Sequence, residues 1–301
     1  MEHQKRTIYF NEELHRYTDE YQTVYTSVTQ LIEAYSPVFD KEYWAAYKAK
    51  QLNISKEEVL LRWKGITEEA CAKGNETHSN LETSVNNASS NTDFSISNYI
   101  GLKQNELKIT NNKIDFNILQ GSKLAQNFPI ILKMIKHYVD LGYSIFAEKR
   151  VYSSYYCIAG TIDLILVKGT NFIIVDWKTN KDELKFKSGY YKKINGVKSS
   201  IWVDKDERLL KPLGHLQNCK GTKYSLQLSL YAFLMELYGF TLQGIILTHI
   251  REDKDVQNQT KTDEQGNTLF QIEFPTIEYL KNDVHKLSNH HKLLIHDVKT
   301  N

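Results

Sequence analysis

Two apolar runs, 158–167 and 172–177, flank Lys168-Gly169-Thr170-Asn171, and this pattern constrains the fold more than any other part of the chain. Strand-forming runs around a short glycine-containing segment read as a hairpin with a tight turn. For a hairpin symmetric about Gly169-Thr170 the numbers of facing residues sum to 339, which sets Asp163 opposite Asp176 and Lys178 two residues further along the same face. Two carboxylates opposed in an apolar ribbon repel each other. A divalent cation between them removes that penalty. Paired carboxylates beside a lysine are a means of holding Mg²⁺ and activating water next to a phosphate. The same acid-x-Lys spacing recurs at Glu106/Lys108, Glu183/Lys185, Glu252/Lys254 and Asp297/Lys299, where it reads as a surface ion pair. None of those follows an apolar strand whose hairpin partner carries a facing aspartate.

Around this ribbon the chain alternates helical and strand patterns. Residues 7–25 alternate apolar and polar about Asp19-Glu20 and predict a short opening hairpin. Ser27-Val28-Thr29-Gln30 is a capping box that starts a helix ending before Ser36-Pro37. Ser55-Lys56-Glu57-Glu58 starts a second helix, and 67–82 reads as a third. The stretch 86–112, rich in Asn and Ser, is expected to be a mobile insertion. An amphipathic helix is expected over 120–141, a strand over 144–152, then the hairpin. After it come a helix over 224–238, strands over 243–251 and 268–274, and a helix over 276–295. This order predicts an α/β (α+β) fold in which a mixed central sheet is flanked by helices. No repeat and no Pro/Gly linker divides the 301 residues, so one domain is expected, with a helical part over 1–82.

Four further groups carry candidate chemistry. Gly160, just before Asp163, marks a strand bulge or a close approach of substrate backbone, the bulge being preferred. Trp177 alternates away from Asp176 and Lys178, toward the core. Gln227 and Tyr231, four apart on the expected helix, share a face beside the stripe Leu226, Leu230, Phe233 and Leu237. They form a polar rim or hydrogen-bond a phosphate. His78 and Glu82 also share a helix face, with Gly74 one turn earlier leaving room for close packing. A helical histidine is either structural or a nitrogen ligand for a Mn²⁺ or Mg²⁺ site otherwise made of oxygens. Finally, 181–223 holds eleven basic residues against five acidic ones, a local charge of +6. Tyr190, Tyr191 and Trp202 lie among them. Basic residues interleaved with aromatics suit a nucleic-acid strand, through Lys185, Lys187, Tyr190, Tyr191, Lys192 and Lys193. A solvated loop is the alternative.

The formal charge of +2 is nearly balanced, so a polyanion must be met by a local patch. Cys71, Cys157 and Cys219 are scattered and odd in number, which argues against a disulfide framework and against a Cys-only iron–sulfur cluster. A reducing, cytoplasmic setting is the expectation. No apolar run is long enough for a membrane span, and the first residues lack a signal-peptide pattern.

In order, Gly74…His78, Gly160-Thr161-Ile162-Asp163, Asp176-Trp177-Lys178-Thr179-Asn180 and Gln227-Leu228-Ser229-Leu230-Tyr231 resemble the PD-(D/E)XK nuclease superfamily, in particular its RecB-like and bacteriophage exonuclease branch. His15-Arg16-Tyr17-Thr18 with Ser27-Val28-Thr29 is similar to the start of phage members. The resemblance covers most of the chain except 86–112 and part of 181–223. It implies a restriction-endonuclease-like core and a Mg²⁺- or Mn²⁺-dependent deoxyribonuclease, an exonuclease first and a structure-selective endonuclease second, serving DNA recombination, repair or phage DNA processing. It further implies that Asp163, Asp176, His78 and the Trp177 carbonyl ligate the metal, that Lys178 orients or deprotonates water, and that Gln227 and Tyr231 position the scissile strand. Glu148 becomes a supporting carboxylate, and Glu82 a weaker one. Members with a four-cysteine iron–sulfur cluster are not matched. A catalytically silent DNA-binding module and a hydrolase of some other substrate are the remaining readings.

Overall fold

The computed structural model describes residues 4–100, 102, 111–194, 197–257 and 259–300. The N-terminal segment makes three strands where one hairpin is expected: β1 (Ile8–Asn11), β2 (Arg16–Asp19) and β3 (Val24–Ser27), joined by two turns. Asp19, buried beneath the second turn, accepts the N–H groups of Tyr21 and Thr23 and so ends the strand. The Ser27 capping box then opens α1 (Val28–Ala34) as its sequence predicts.

α2 (Lys41–Leu52) is absent from the expectations above. Its signals are present: Asp40 caps its first turn and Asn53 ends it in the left-handed region. α3 (Lys56–Ala88) starts on the Ser55 cap and runs for 33 residues, merging two expected helices. Neither Gly65 nor Gly74 breaks it, since a helical glycine costs only about 1 kcal/mol. The helix expected over 120–141 is instead three: α4 (Phe116–Gln120), α5 (Lys123–Asn127) and α6 (Pro129–Asp140). Ser122 caps α5, and Pro129, which has no N–H, can only start α6. Within the Asn/Ser-rich stretch, Phe94, Ile96 and Tyr99 are buried, and the Phe94 ring lies 5.1 Å from that of Phe146. Residues 101 and 103–110 of that stretch lie outside the described residues.

β4 (Ser144–Ser153), β5 (Ile158–Lys168) and β6 (Asn171–Lys178) follow, then a hairpin of β7 (Gly189–Ile194) and β8 (Val197–Asp204) inside the basic stretch. α7 (Lys220–Glu236) begins four residues earlier than expected, taking over the last residues of that stretch. β9 (Thr241–Glu252), β10 (Phe270–Glu273) and α8 (Lys281–Thr300) complete the chain.

The fold is the expected α/β class. Eight strands form one mixed sheet in the order β1-β2-β3-β5-β6-β9-β10, with β4 on the opposite edge of β5. β3 runs parallel to β5 and β6 parallel to β9; the other pairs are antiparallel. Both faces are covered, which is why the central strands read as continuous apolar runs. Ile165 and Val167 join α1, α7 and α8 in one core, while Leu164 and Leu166 join α3, α4, α5 and α6 in the other. Among the described residues no helix is long and apolar enough to cross a membrane.

One edge of β5 is shared between two partners. Ile158 and Ala159 pair with β3, whereas 164–168 pair with β6, so the sheet parts over 160–163. Gly160 sits in that gap. It keeps regular register with Val151, so it is not a bulge, and no substrate is needed to explain it. A Cβ there would lie 2.4 Å from Tyr231 Cε1 and 3.2 Å from Val28 Cγ2, so the close approach is made by the chain's own buried tyrosine. Gly160→Ala is therefore expected to cost about 1–3 kcal/mol in thermal or urea unfolding. Combining it with Tyr231→Ala should recover part of that loss. Strictly additive costs would show that the ring is not the obstacle.

Candidate metal centre and its surroundings

The site grows out of this gap. The β5–β6 register is the one the hairpin dictates: Leu164 faces Val175, Lys168 faces Asn171, and Gly169 takes φ 58° in the turn. One pair beyond Leu164–Val175 the ladder gives way to a side chain, as Asp163 Oδ2 accepts the Trp177 N–H at 2.8 Å. On the other edge of β5, Ala147 pairs with Leu164 and Lys149 with Ile162, which puts Glu148 level with Asp163. Glu148 is left out of that ladder and has φ 50°, an unfavourable conformation for a residue with a Cβ. Three carboxylates, Glu148, Asp163 and Asp176, thus stand in one row across β4, β5 and β6.

α3 brings the imidazole. Gly74 lets the helix pass close to the end of β6, for a Cβ there would lie 3.2 Å from Thr179 Oγ1. One turn later His78 Nδ1 reaches 3.6 Å from Asp163 Oδ2. His78, Glu148 and Asp163 each offer an atom such that all three lie within 4.8 Å of one another, which makes a candidate metal site. Two carboxylate oxygens and one imidazole nitrogen suit a divalent cation. Burial first, then Asp163, Glu82 and Asp176, push the Glu148 carboxyl up to about 8.

Asp176 is organised differently. It is 1% exposed, and its Oδ2 lies 2.6 Å from Lys178 Nζ, although neither oxygen has a well-directed hydrogen bond. Burial raises its pKa to about 6, the nearby Asp163 adding to this and Lys178 opposing it. Lys178 is itself held above the ordinary lysine value: burial acts against its charge, but Asp176 and Asp163 outweigh burial. Its ammonium also lies 5.1 Å from the centre of the Tyr224 ring, whose hydroxyl accepts from Asn180 Nδ2 at 2.8 Å.

The expectation that only a metal makes the facing aspartates tolerable therefore needs correction. Each has its own partner within the chain: a backbone N–H for Asp163 and an ammonium for Asp176. Of the residues expected as metal ligands, His78 and Asp163 come together. Asp176 stands beside them, tied to Lys178, and Trp177 enters through its N–H while its ring is core. Glu148, expected only in support, is the third member of the group. Gln227 Nε2 donates to the Tyr231 hydroxyl at 3.0 Å, so the expected pair forms. Burial, then Asp176, drive the Tyr231 phenol well above its ordinary value. Tyr224, Asn180, and the Tyr17 hydroxyl, 2.9 Å from Thr161 Oγ1, are additions that the sequence reading lacks. Tyr224 has a signal, lying three residues before Gln227 on the same helix.

Of the basic and aromatic residues, Lys185, Lys187, Tyr190, Tyr191 and Lys193 line one cavity of about 560 Å³ at the β7–β8 hairpin. Lys192 does not line it. It falls where the pairing of β7 slips between Tyr191 and Lys193, and it is exposed.

No family model, no curated protein and no solved structure matches this chain. What fold and site define together is an α/β protein with a candidate metal site of His78, Glu148 and Asp163 beside the buried Asp176 and its partner Lys178.

Proposed function

We propose that this chain is a divalent-metal-dependent deoxyribonuclease, an exonuclease in the first instance. The observation that carries the reading is the row Glu148, Asp163 and Asp176 on three adjacent strands, with His78 and Lys178 closing on it from either side. A Mg²⁺ or Mn²⁺ ion held by His78, Glu148 and Asp163 would supply Lewis-acid polarisation of a phosphodiester. The nitrogen donor tilts that choice toward Mn²⁺.

The chain's own residues do the rest. Lys178, its pKa raised by Asp176 and Asp163, is a cation at neutral pH, so its work is to stabilise charge building on the phosphate rather than to remove a proton. Asp176 and the Tyr224 ring hold that ammonium in place. Gln227 is linked to Tyr231, whose ring closes the gap in the sheet beside the row. With the inserted β7–β8 hairpin set aside, the elements around the row run α6-β4-β5-β6-α7-β9, which supports the restriction-endonuclease-like core implied by the motifs.

The test is incubation of the pure protein with linear and closed circular DNA in Mg²⁺ or Mn²⁺. Digestion of linear DNA alone is the expected result, and cleavage of both forms would assign an endonuclease. No cleavage of either form with either ion would end the nuclease reading.

A further inference from the structure

Next to the metal centre the structure carries a second surface whose chemistry differs from that of the acidic row. Lys185 Nζ lies 3.8 Å from the centre of the Tyr191 ring and 4.5 Å from that of Trp202, in the corner made by these two rings, which meet edge-on with centres 5.1 Å apart. Lys205 Nζ lies 5.8 Å from the Tyr190 ring and 6.0 Å from the Trp44 ring of α2. One ammonium thus bridges the β7–β8 hairpin and a helix from the other end of the chain. Trp44 continues into Tyr43 and Tyr47, with ring centres 5.4 and 5.7 Å away. These rings are left open to solvent: Trp44 is 41% exposed, Tyr47 48% and Tyr190 49%.

Between hairpin and α7 lies the cavity of about 560 Å³, with five lysines and three acids in its lining. Among the described residues only Lys205 of those five has a carboxylate partner, Glu207 at 3.9 Å. The cavity connects to the centre through few residues. Lys220 in its wall donates to Asn180 Oδ1 at 3.3 Å, and Asn180 donates to the Tyr224 hydroxyl, beneath whose ring Lys178 sits.

From this we infer that the Trp44–Lys205–Tyr190 band and the adjoining lysine-lined cavity form a track for single-stranded DNA leading to the acidic row. That the strand is DNA rests on the function proposed above. That it is single rests on this surface alone. Ring faces exposed between ammonium groups can stack on a base only where the base's own face is free, and a duplex covers its base faces. Lysines spaced along the cavity pair with the phosphates.

The test uses fluorescence anisotropy in EDTA, where binding is read without hydrolysis, on labelled oligo-dT, a blunt duplex and oligo-U. Oligo-dT is expected to bind more tightly than the duplex. Tyr190→Ala and Trp44→Ala should each weaken it about tenfold. Lys187→Gln, at an exposed position, should lower the slope of log affinity against log salt by about 0.7. Equal or tighter duplex binding, an unchanged affinity in folded Tyr190→Ala, or a preference for oligo-U would overturn the inference. Because binding in EDTA does not involve the metal centre, a failure here is separable from a failure to cleave.

Discussion

Replacing Glu148 by Gln should make the metal-free protein more stable at alkaline pH by about 2–3 kcal/mol, on the order of 5–10 °C in Tm. The sign follows from the direction of its shift. The folded-state carboxyl titrates near 8, against 4.5 for an ordinary glutamate, because burial and the neighbouring acids oppose its charge. Below about pH 4.5 folded and unfolded chains both hold the proton and nothing is lost. Between about 4.5 and 8 the unfolded chain ionises while the folded one does not, so stability falls as pH rises. Above about 8 the whole penalty is present. Asp163 carries part of the charge of the row, so the penalty borne by Glu148 is about 2–3 kcal/mol. Glutamine resembles the protonated form and escapes the penalty. The same variant should lose most of the thermal stabilisation that Mn²⁺ gives the wild type, since one of three ligands is gone. A Glu148→Gln variant less stable than wild type at about pH 9 would contradict this account of the acidic row.

Lys178→Ala is expected to lower cleavage by about 10²–10³-fold while leaving the Mn²⁺-induced rise in Tm largely in place. It should also destabilise the protein by about 2 kcal/mol at neutral pH, because Asp176, itself 1% exposed, then loses its ion-pair partner. Lys178→Ala/Asp176→Asn should regain most of that stability and none of the cleavage. Such a split is informative: a lysine serving structure alone would have both recovered together. Asp163→Ala or Asp176→Ala, viewed as relief of repulsion, would raise stability. With Asp163 accepting a buried N–H and Asp176 neutralising Lys178, both are instead expected to lower it.

How much of this is legible in the sequence depends on how local the cause is. The β5–β6 register follows from a two-residue turn and the alternation of strands, and it holds from Lys168–Asn171 to Leu164–Val175, one pair short of Asp163 and Asp176. Ion pairing of Asp176 with Lys178 is equally local, two residues apart on one strand face, and its energetic consequence is available without a structure. Glu148 is harder. Its level with Asp163 comes from the β4–β5 register across a longer connection, and its left-handed backbone has no sequence signature. The approach of His78 to Asp163 depends on how a 33-residue helix crosses the sheet, a matter of tertiary packing that local geometry does not give and that only the resemblance through Gly74…His78 implies. α2 escapes a sequence reading because the exposed rings Tyr43, Trp44 and Tyr47 blur the amphipathic pattern on which a helix is recognised.

α3 has a mechanical consequence. One unbroken rod of about 50 Å carries α2 against its first turns, through Ala45, Ala49 and Val59, and the imidazole of His78 further along. Gly74, resting against Thr179, is its fulcrum. A tilt of the α2 end of this lever would move His78 relative to Asp163, a route by which the outlying rings would be felt at the acidic row.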